Sequence, residues 1–300
     1  MGCPPDFADR APDPAPSAAP PAARLLPGHG LDRTDIDTPL RRVGLESAAA
    51  RAVGSGRPVL RVLPDVVVLK IGGQSIMDRG AAALFPLLDE LRVLRRQHKL
   101  LLGVGGGTRA RHAYAVALDL GMPTSVLAKI GMNVPVQNAR MLQMLLAADG
   151  GVLISNDDFA HLPLHYAVGC TPILPGMPPF SFWEKPGPRG RIPTHRTDAG
   201  VYLTAEALGA ARCIFVKDED GLYDANPKEN PQARHIPRAT AAEVLAMGLP
   251  DLVVEPVVLE YMQRTEHLRQ IQIINGLVPG MLSRALAGEP VGTVIDAGPR

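Results

Sequence analysis

The chain has 300 residues, 46% of them hydrophobic, which suits one large α/β domain or two smaller ones around a substantial core. A formal net charge of +1 gives no electrostatic reason to expect nucleic acid or an anionic membrane as partner, and no stretch is long and apolar enough to span a bilayer. The three cysteines, Cys3, Cys170 and Cys213, show neither metal-ligand spacing nor even pairing, which fits a reducing cytoplasm better than a disulfide framework.

Residues 1–57 differ from the rest. Pro4, Pro5, Pro12, Pro14, Pro16, Pro20 and Pro21 sit among Ala and Asp, with no apolar run of the secretory kind. Met1-Gly2-Cys3 would suit lipidation, but Asp6 stands where Ser or Thr is needed. The segment reads as a disordered or extended arm whose Leu25, Leu26, Leu31, Leu40 and Leu45 can dock on a neighbouring subunit.

From residue 58 to 300 the chain reads as one folded domain. Val66-Val67-Val68-Leu69-Lys70-Ile71-Gly72-Gly73-Gln74-Ser75 is a doubly buried strand that ends in a lysine and a glycine turn. Glycines there let backbone N–H groups approach an anion, and the lysine puts one cation beside them. An ordinary strand-to-helix turn with a snorkelling lysine is the bland alternative. The spacing predicts a helix over 81–97, a strand over 99–104, and a second glycine turn, Gly105-Gly106-Gly107, opening a helix that Gly121 ends. A helix follows over 137–148, then strands over 152–154 and 171–174. This βαβ alternation implies a mostly parallel sheet with helices on both faces.

Residues 175–195 break the alternation with six prolines and with Phe180, Phe182 and Trp183, a composition expected at a functional loop or an interface. Thr197-Asp198-Ala199-Gly200 is a helix start, and Arg212 to Lys217 a strand. Thr240 and Glu243 have capping-box spacing ahead of a short helix closed by Gly248. A helix over 256–268, a strand over 270–274, a turn at Asn275-Gly276 and a last strand over 291–295 complete the chain.

Four stretches in this order carry a family resemblance: Lys70-Ile71-Gly72-Gly73, Gly105-Gly106-Gly107, Thr197-Asp198-Ala199, and Asp220-Gly221-Leu222-Tyr223 with Asn226-Pro227-Lys228. Over about residues 60–296 the chain resembles the amino-acid kinase superfamily, in its uridylate-kinase branch. The resemblance implies an α/β three-layer sandwich with an open, mainly parallel sheet, as one domain with two lobes. Gly107 to His112, Gly176-Met177-Pro178-Pro179, Arg196 to Gly200, Phe215 to Tyr223 and Asn275 to Gly280 are similar to the molybdenum storage family within that branch, and to its beta type. Members of that family use ATP to pack molybdate or tungstate as polynuclear oxide clusters inside a closed cage of two subunit types. By resemblance the cage has six subunits and this chain has an alpha-type partner or assembles with itself.

A nucleoside triphosphate needs cations, backbone donors and usually Mg²⁺. Lys70 and Lys217 are the candidate cations for the terminal phosphates, and Gly72, Gly73, Gln74, Gly106 and Gly107 supply the turns around them. Asp198 is either a plain helix N-cap or the organiser of Lys70 or of a Mg²⁺-bound water, since Mg²⁺ is satisfied with few carboxylates. By resemblance Lys217, Asp220, Gly221, Tyr223, Asn226 and Lys228 line the nucleotide. Arg109 and His112, three apart on one helical face, suit an oxoanion or form a surface pair. His161 and His165 have helical spacing with Pro163 between them, a poor metal pair. Three functions follow: ATP-driven molybdate or tungstate storage, a nucleoside-monophosphate (uridylate) kinase, and a non-catalytic nucleotide-binding wall of a cage. The second is disfavoured by Gly72-Gly73-Gln74, where uridylate kinases carry Ser-Gly-Glu.

Overall fold

The computed structural model describes residues 59–177 and 192–299. The arm over 1–57 and the aromatic centre of the 175–195 loop, with Phe180, Phe182 and Trp183, lie outside the described residues. An eight-stranded sheet runs in the order β3 (Gly151–Leu153), β4 (Thr171–Pro175), β2 (Lys99–Val104), β1 (Val66–Ile71), β5 (Arg212–Lys217), β9 (Gln270–Asn275), β10 (Thr293–Asp296), β8 (Arg238–Thr240). Every neighbouring pair is parallel except β9 and β10. β6 (Leu222–Tyr223) and β7 (His235–Ile236) form a separate antiparallel ribbon.

Strand periodicity divides the core into two layers. Val66, Val68, Cys213 and Phe215 face α5 (Thr197–Leu208), α6 (Ala241–Ala246) and α7 (Pro256–Met262). Val67, Leu69, Ile71, Ile214 and Val216 face α1 (Ala81–Leu94) and α8 (Met281–Leu286). The result is a sheet between two helical layers. In α1, Leu84, Leu87, Leu88 and Leu91 fall on one face at helical spacing and are all buried. Truncating one of them to Ala would cost on the order of 2–5 kcal/mol.

β2 and β5 have the bounds the sequence predicts, and α2 (Thr108–Asp119) follows the second glycine turn. Two helices differ. α3 runs Thr124–Leu145, well ahead of the expected start at Gln137. Gly131 and Pro135 argue against a helix there, yet tertiary packing carries it through. A Cβ on Gly131 would overlap the Tyr114 ring of α2, so the glycine is what lets the two helices meet. Between them lies a small core of Ala110, Tyr114, Ala117, Leu127 and Val134. At the other end, α7 stops at Met262 and not at 268. The Glu206 carboxylate of α5 accepts the N–H groups of Glu266, His267 and Leu268, which holds that segment out of the helix. The ribbon, β8, α4 (Leu162–Ala167) and α8 have patterns too short for periodicity to reveal.

β1 is the point where the sheet reverses: the chain goes to β2 on one side and to β5 on the other. In open α/β sheets the crevice beyond the carboxyl ends of such strands is where ligands bind.

Candidate active site

The site follows from strand periodicity. Val66 and Val68 face α5, so Lys70 two residues on faces it too. Cys213 and Phe215 do the same for Lys217. The parallel register sets Lys70 beside Phe215 and Ile71 beside Val216, so Lys217 lies one residue further along. Asp198, the second residue of α5, meets both. Its Oδ1 lies 2.5 Å from Lys70 Nζ and its Oδ2 2.9 Å from Lys217 Nζ. The side chains of Lys70, Asp198 and Lys217 are 5%, 6% and 12% exposed, so this triangle of charge is largely cut off from water.

Burial alone would raise the Asp198 carboxyl, but the charges and hydrogen bonds of Lys217 and Lys70 outweigh it and hold the group well below the usual carboxylate range. Burial, with the charge of Lys70, pulls Lys217 down to about 8 against the opposing pull of Asp198. Lys217 is thus a lysine that changes charge near physiological pH.

Asp198 is not the helix cap. The N-terminal amides of α5 are taken by Glu255, which accepts from Arg196 N–H (3.1 Å), Asp198 N–H (3.1 Å) and Ala199 N–H (3.0 Å). Relieved of capping, the Asp198 carboxylate is left to the two lysines. Burial, reinforced by the nearby charge of Asp198, pushes the Glu255 carboxyl up, while Arg196 opposes it. The sequence gives little sign of Glu255: directly before Pro256 it looks like the start of its own helix, α7.

The two glycine turns stand back to back. A Cβ on Gly73 would overlap the Gly107 amide nitrogen, and one on Gly105 would overlap the Gly73 nitrogen. Gly72 N–H is spent on Val216 O (3.0 Å) and Gly105 N–H on Ile71 O (2.9 Å), which locks the turns to the sheet. Around them opens a cleft of about 830 Å³. It is lined by Lys70, Asp198 and Lys217, by Gly73, Gln74, Gly106 and Gly107, and by Gly221, Tyr223, Asn226 and Lys228.

Four expected residues are not among its walls. Gly72 lies behind the turn, and Asp220 instead accepts from Asn275 Nδ2 (2.9 Å). Arg109 turns away to Asn138 and Gln137 of α3, and His112 is exposed on α2. Arg111, two residues after Arg109, lines the cleft. The packing of α3 decides which face of α2 meets the cleft. At the mouth, Asp218 Oδ2 holds both Arg79 (2.6 Å) and Lys228 (2.9 Å), and Glu219 pairs with Lys228 (3.0 Å). Tyr223 packs edge-on to His235, with ring centres 5.4 Å apart.

With a lysine on each oxygen, Asp198 offers a divalent cation room only through water. Among the described residues no three His, Cys, Asp or Glu side chains gather as a metal site. The arrangement brings together two largely enclosed cations, a carboxylate that orients them, and glycine turns that let backbone come close, groups able to receive an anion.

A family model settles the lineage, matching residues 65–275 as "Amino acid kinase family". The chain belongs to the amino acid kinase family. Within it, the chain is 50% identical over 253 residues to the molybdenum storage protein subunit beta of Azotobacter vinelandii, covering 84% of this chain and 92% of that one. To the uridylate kinase of Methanothermobacter thermautotrophicus it is 32% identical over 237 residues, covering 76% and 98%. The fold is also that of the uridylate kinase of Archaeoglobus fulgidus, with a TM-score of 0.58 at 24% identity, over 76% of this chain and 99% of that one. The triangle joins β1, the strand at which the sheet reverses, to its neighbour β5 and to α5. No helix among the described residues is long and apolar enough to cross a membrane.

Proposed function

We propose that this chain is an ATP-using, beta-type subunit of a molybdenum or tungsten storage assembly. In this reading ATP hydrolysis drives molybdate or tungstate into polynuclear oxide clusters inside a closed oligomer, a hexameric cage built with an alpha-type partner or from this chain alone. The observation that carries it is the buried Lys70–Asp198–Lys217 triangle, in a chain half identical to a storage-protein beta subunit. Two lysines with fixed positions neutralise charge on a terminal phosphate as it is cleaved. Asp198 keeps both ammonium groups aimed and holds Lys217 protonated despite burial. Gly73, Gly106 and Gly107 let the backbone approach the phosphates, while Tyr223, Asn226 and Lys228 form the far wall for the nucleoside. Mg²⁺ carried in with ATP would add charge neutralisation, held by the phosphates and by water, with Asp198 behind that water.

The uridylate-kinase alternative keeps the support of its 32% identical relative. Phosphate release from ATP, measured alone, with molybdate or tungstate, and with uridine monophosphate, separates the two. The storage reading expects release that responds to the metal oxoanion and no nucleoside diphosphate. Steady formation of uridine diphosphate would overturn it.

A further inference from the structure

The cleft that gathers Lys70, Lys217 and Arg111 also holds the carboxyl group of Asp78. Asp78 follows the turn after β1. Met77 N–H donates to Gly72 O (3.1 Å) and Asp78 N–H to Gly73 O (2.9 Å), so the short 3-10 turn Met77–Arg79 folds back over the glycines. Asp78 Oδ2 then accepts from Thr108 N–H, the first amide of α2, at 2.5 Å. Its carboxyl group lies so close over Gly107 that a Cβ there would overlap it. Among the described residues Asp78 forms no salt bridge, although its neighbour Arg79 pairs with Asp218. Arg111 lines the same cleft and likewise forms no salt bridge among the described residues.

A phosphate monoester entering beside Gly107 would need the Thr108 amide and the Arg111 guanidinium. It would find the amide taken and a carboxylate in its path, and like charges at that range repel. We propose that Asp78 is a specificity-determining residue that keeps the phosphate of a nucleoside monophosphate out of this part of the cleft. It thereby bars the phosphoryl acceptor that a nucleotide kinase must bind. This rests on the ATP-using reading above and explains how a kinase fold is left without an acceptor.

Titration calorimetry on the full-length, assembled protein tests it, with uridine monophosphate and uridine as probes. Asp78→Ser should bind the monophosphate at least about tenfold more tightly than the parent chain, and uridine no more tightly. Asp78→Asn, which removes the charge but keeps the size, should show a smaller gain in the same direction. Adding Arg111→Ala to Asp78→Ser should cancel the gain. Thermal melting establishes folding first, and Asp78→Asn serves alone if the serine variant does not fold. Unchanged monophosphate affinity, or an equal gain for uridine, would overturn the proposal. The titration needs neither turnover nor metal, so its failure is distinct from failure of molybdate-dependent phosphate release.

Discussion

Two clusters of charge line the same cleft, one reaching it through Lys217 and the other through the next residue, Asp218. In the interior, Asp198 lies between Lys70 and Lys217, all three nearly sealed from water. At the mouth, Asp218 lies between Arg79 and Lys228, whose side chains are 45% and 56% exposed. Both clusters set a carboxylate between two cations, with Glu219 as a second acid on Lys228 in the outer one; Asp218 is 14% exposed, so the difference lies in the outer cations, which reach water. Exposed pairs trade one solvated state for another and contribute ~0–1 kcal/mol. Buried ions give up several kcal/mol of hydration each, which their mutual attraction only partly returns. A fold that needed only stability would fill the interior with apolar side chains, as it does one residue away at Leu69 and Ile71. The interior triangle therefore costs the fold stability that the outer pairs do not.

The most severe test of that contrast removes the buried carboxylate. Asp198→Asn strands two buried lysines without a counter-charge, so ATP hydrolysis should fall by about a thousandfold or more and stability by on the order of 3–5 kcal/mol. Phosphate-release kinetics and a denaturant melt check the two separately. A variant that keeps normal turnover would make the triangle structural. Lys70→Met should come next. It keeps the apolar stem and leaves Asp198 paired with Lys217, so activity should drop about a hundred- to a thousandfold with little change in melting temperature.

A third effect separates function from stability by sign. Lys217 has a folded pKa of about 8 against an ordinary value of 10.5. If its charged form is needed, kcat should decline as pH rises through about 8. Over the window from there to 10.5 the unfolded chain binds the extra proton, so this group's contribution to stability rises with pH. Asp198 acts in the same direction at the acid end: its folded pKa is also lowered, so its stabilisation is complete above 3.8 and is lost as pH falls below that value. A pH–rate profile beside a pH–melting series reads both, and an alkaline limb that moves with stability would contradict the assignment. The smallest change is expected at the mouth. Lys228→Ala should alter stability by less than about 1 kcal/mol and raise the KM for ATP only a few-fold, as steady-state kinetics would show.

The interior end of the cleft was legible in the sequence because it is built from strands. Alternation in Val66–Ile71 and Arg212–Lys217 fixes which side chains share a face, and Lys70 and Lys217 need only that rule. What was not legible depends on partners distant in sequence. Glu255 caps a helix 56 to 59 residues away, an exchange no local pattern records. The choice between Arg109 and Arg111 depends on Asn138, which is buried in α3 and takes Arg109 out of the cleft. The antiparallel turn of β10 against β9 is likewise a long-range pairing, since its run of residues would serve either direction.

The central claim is that the triangle couples ATP to metal storage. Its most direct measurement is the metal content of the size-fractionated assembly after incubation with molybdate, with and without MgATP and with any needed partner subunit, for the parent chain and Lys70→Met. The account predicts an oligomeric peak that loads molybdenum only with ATP, and loading that Lys70→Met abolishes. Equal loading without ATP, equal loading by Lys70→Met, or a monomer that takes up no molybdate or tungstate would contradict it.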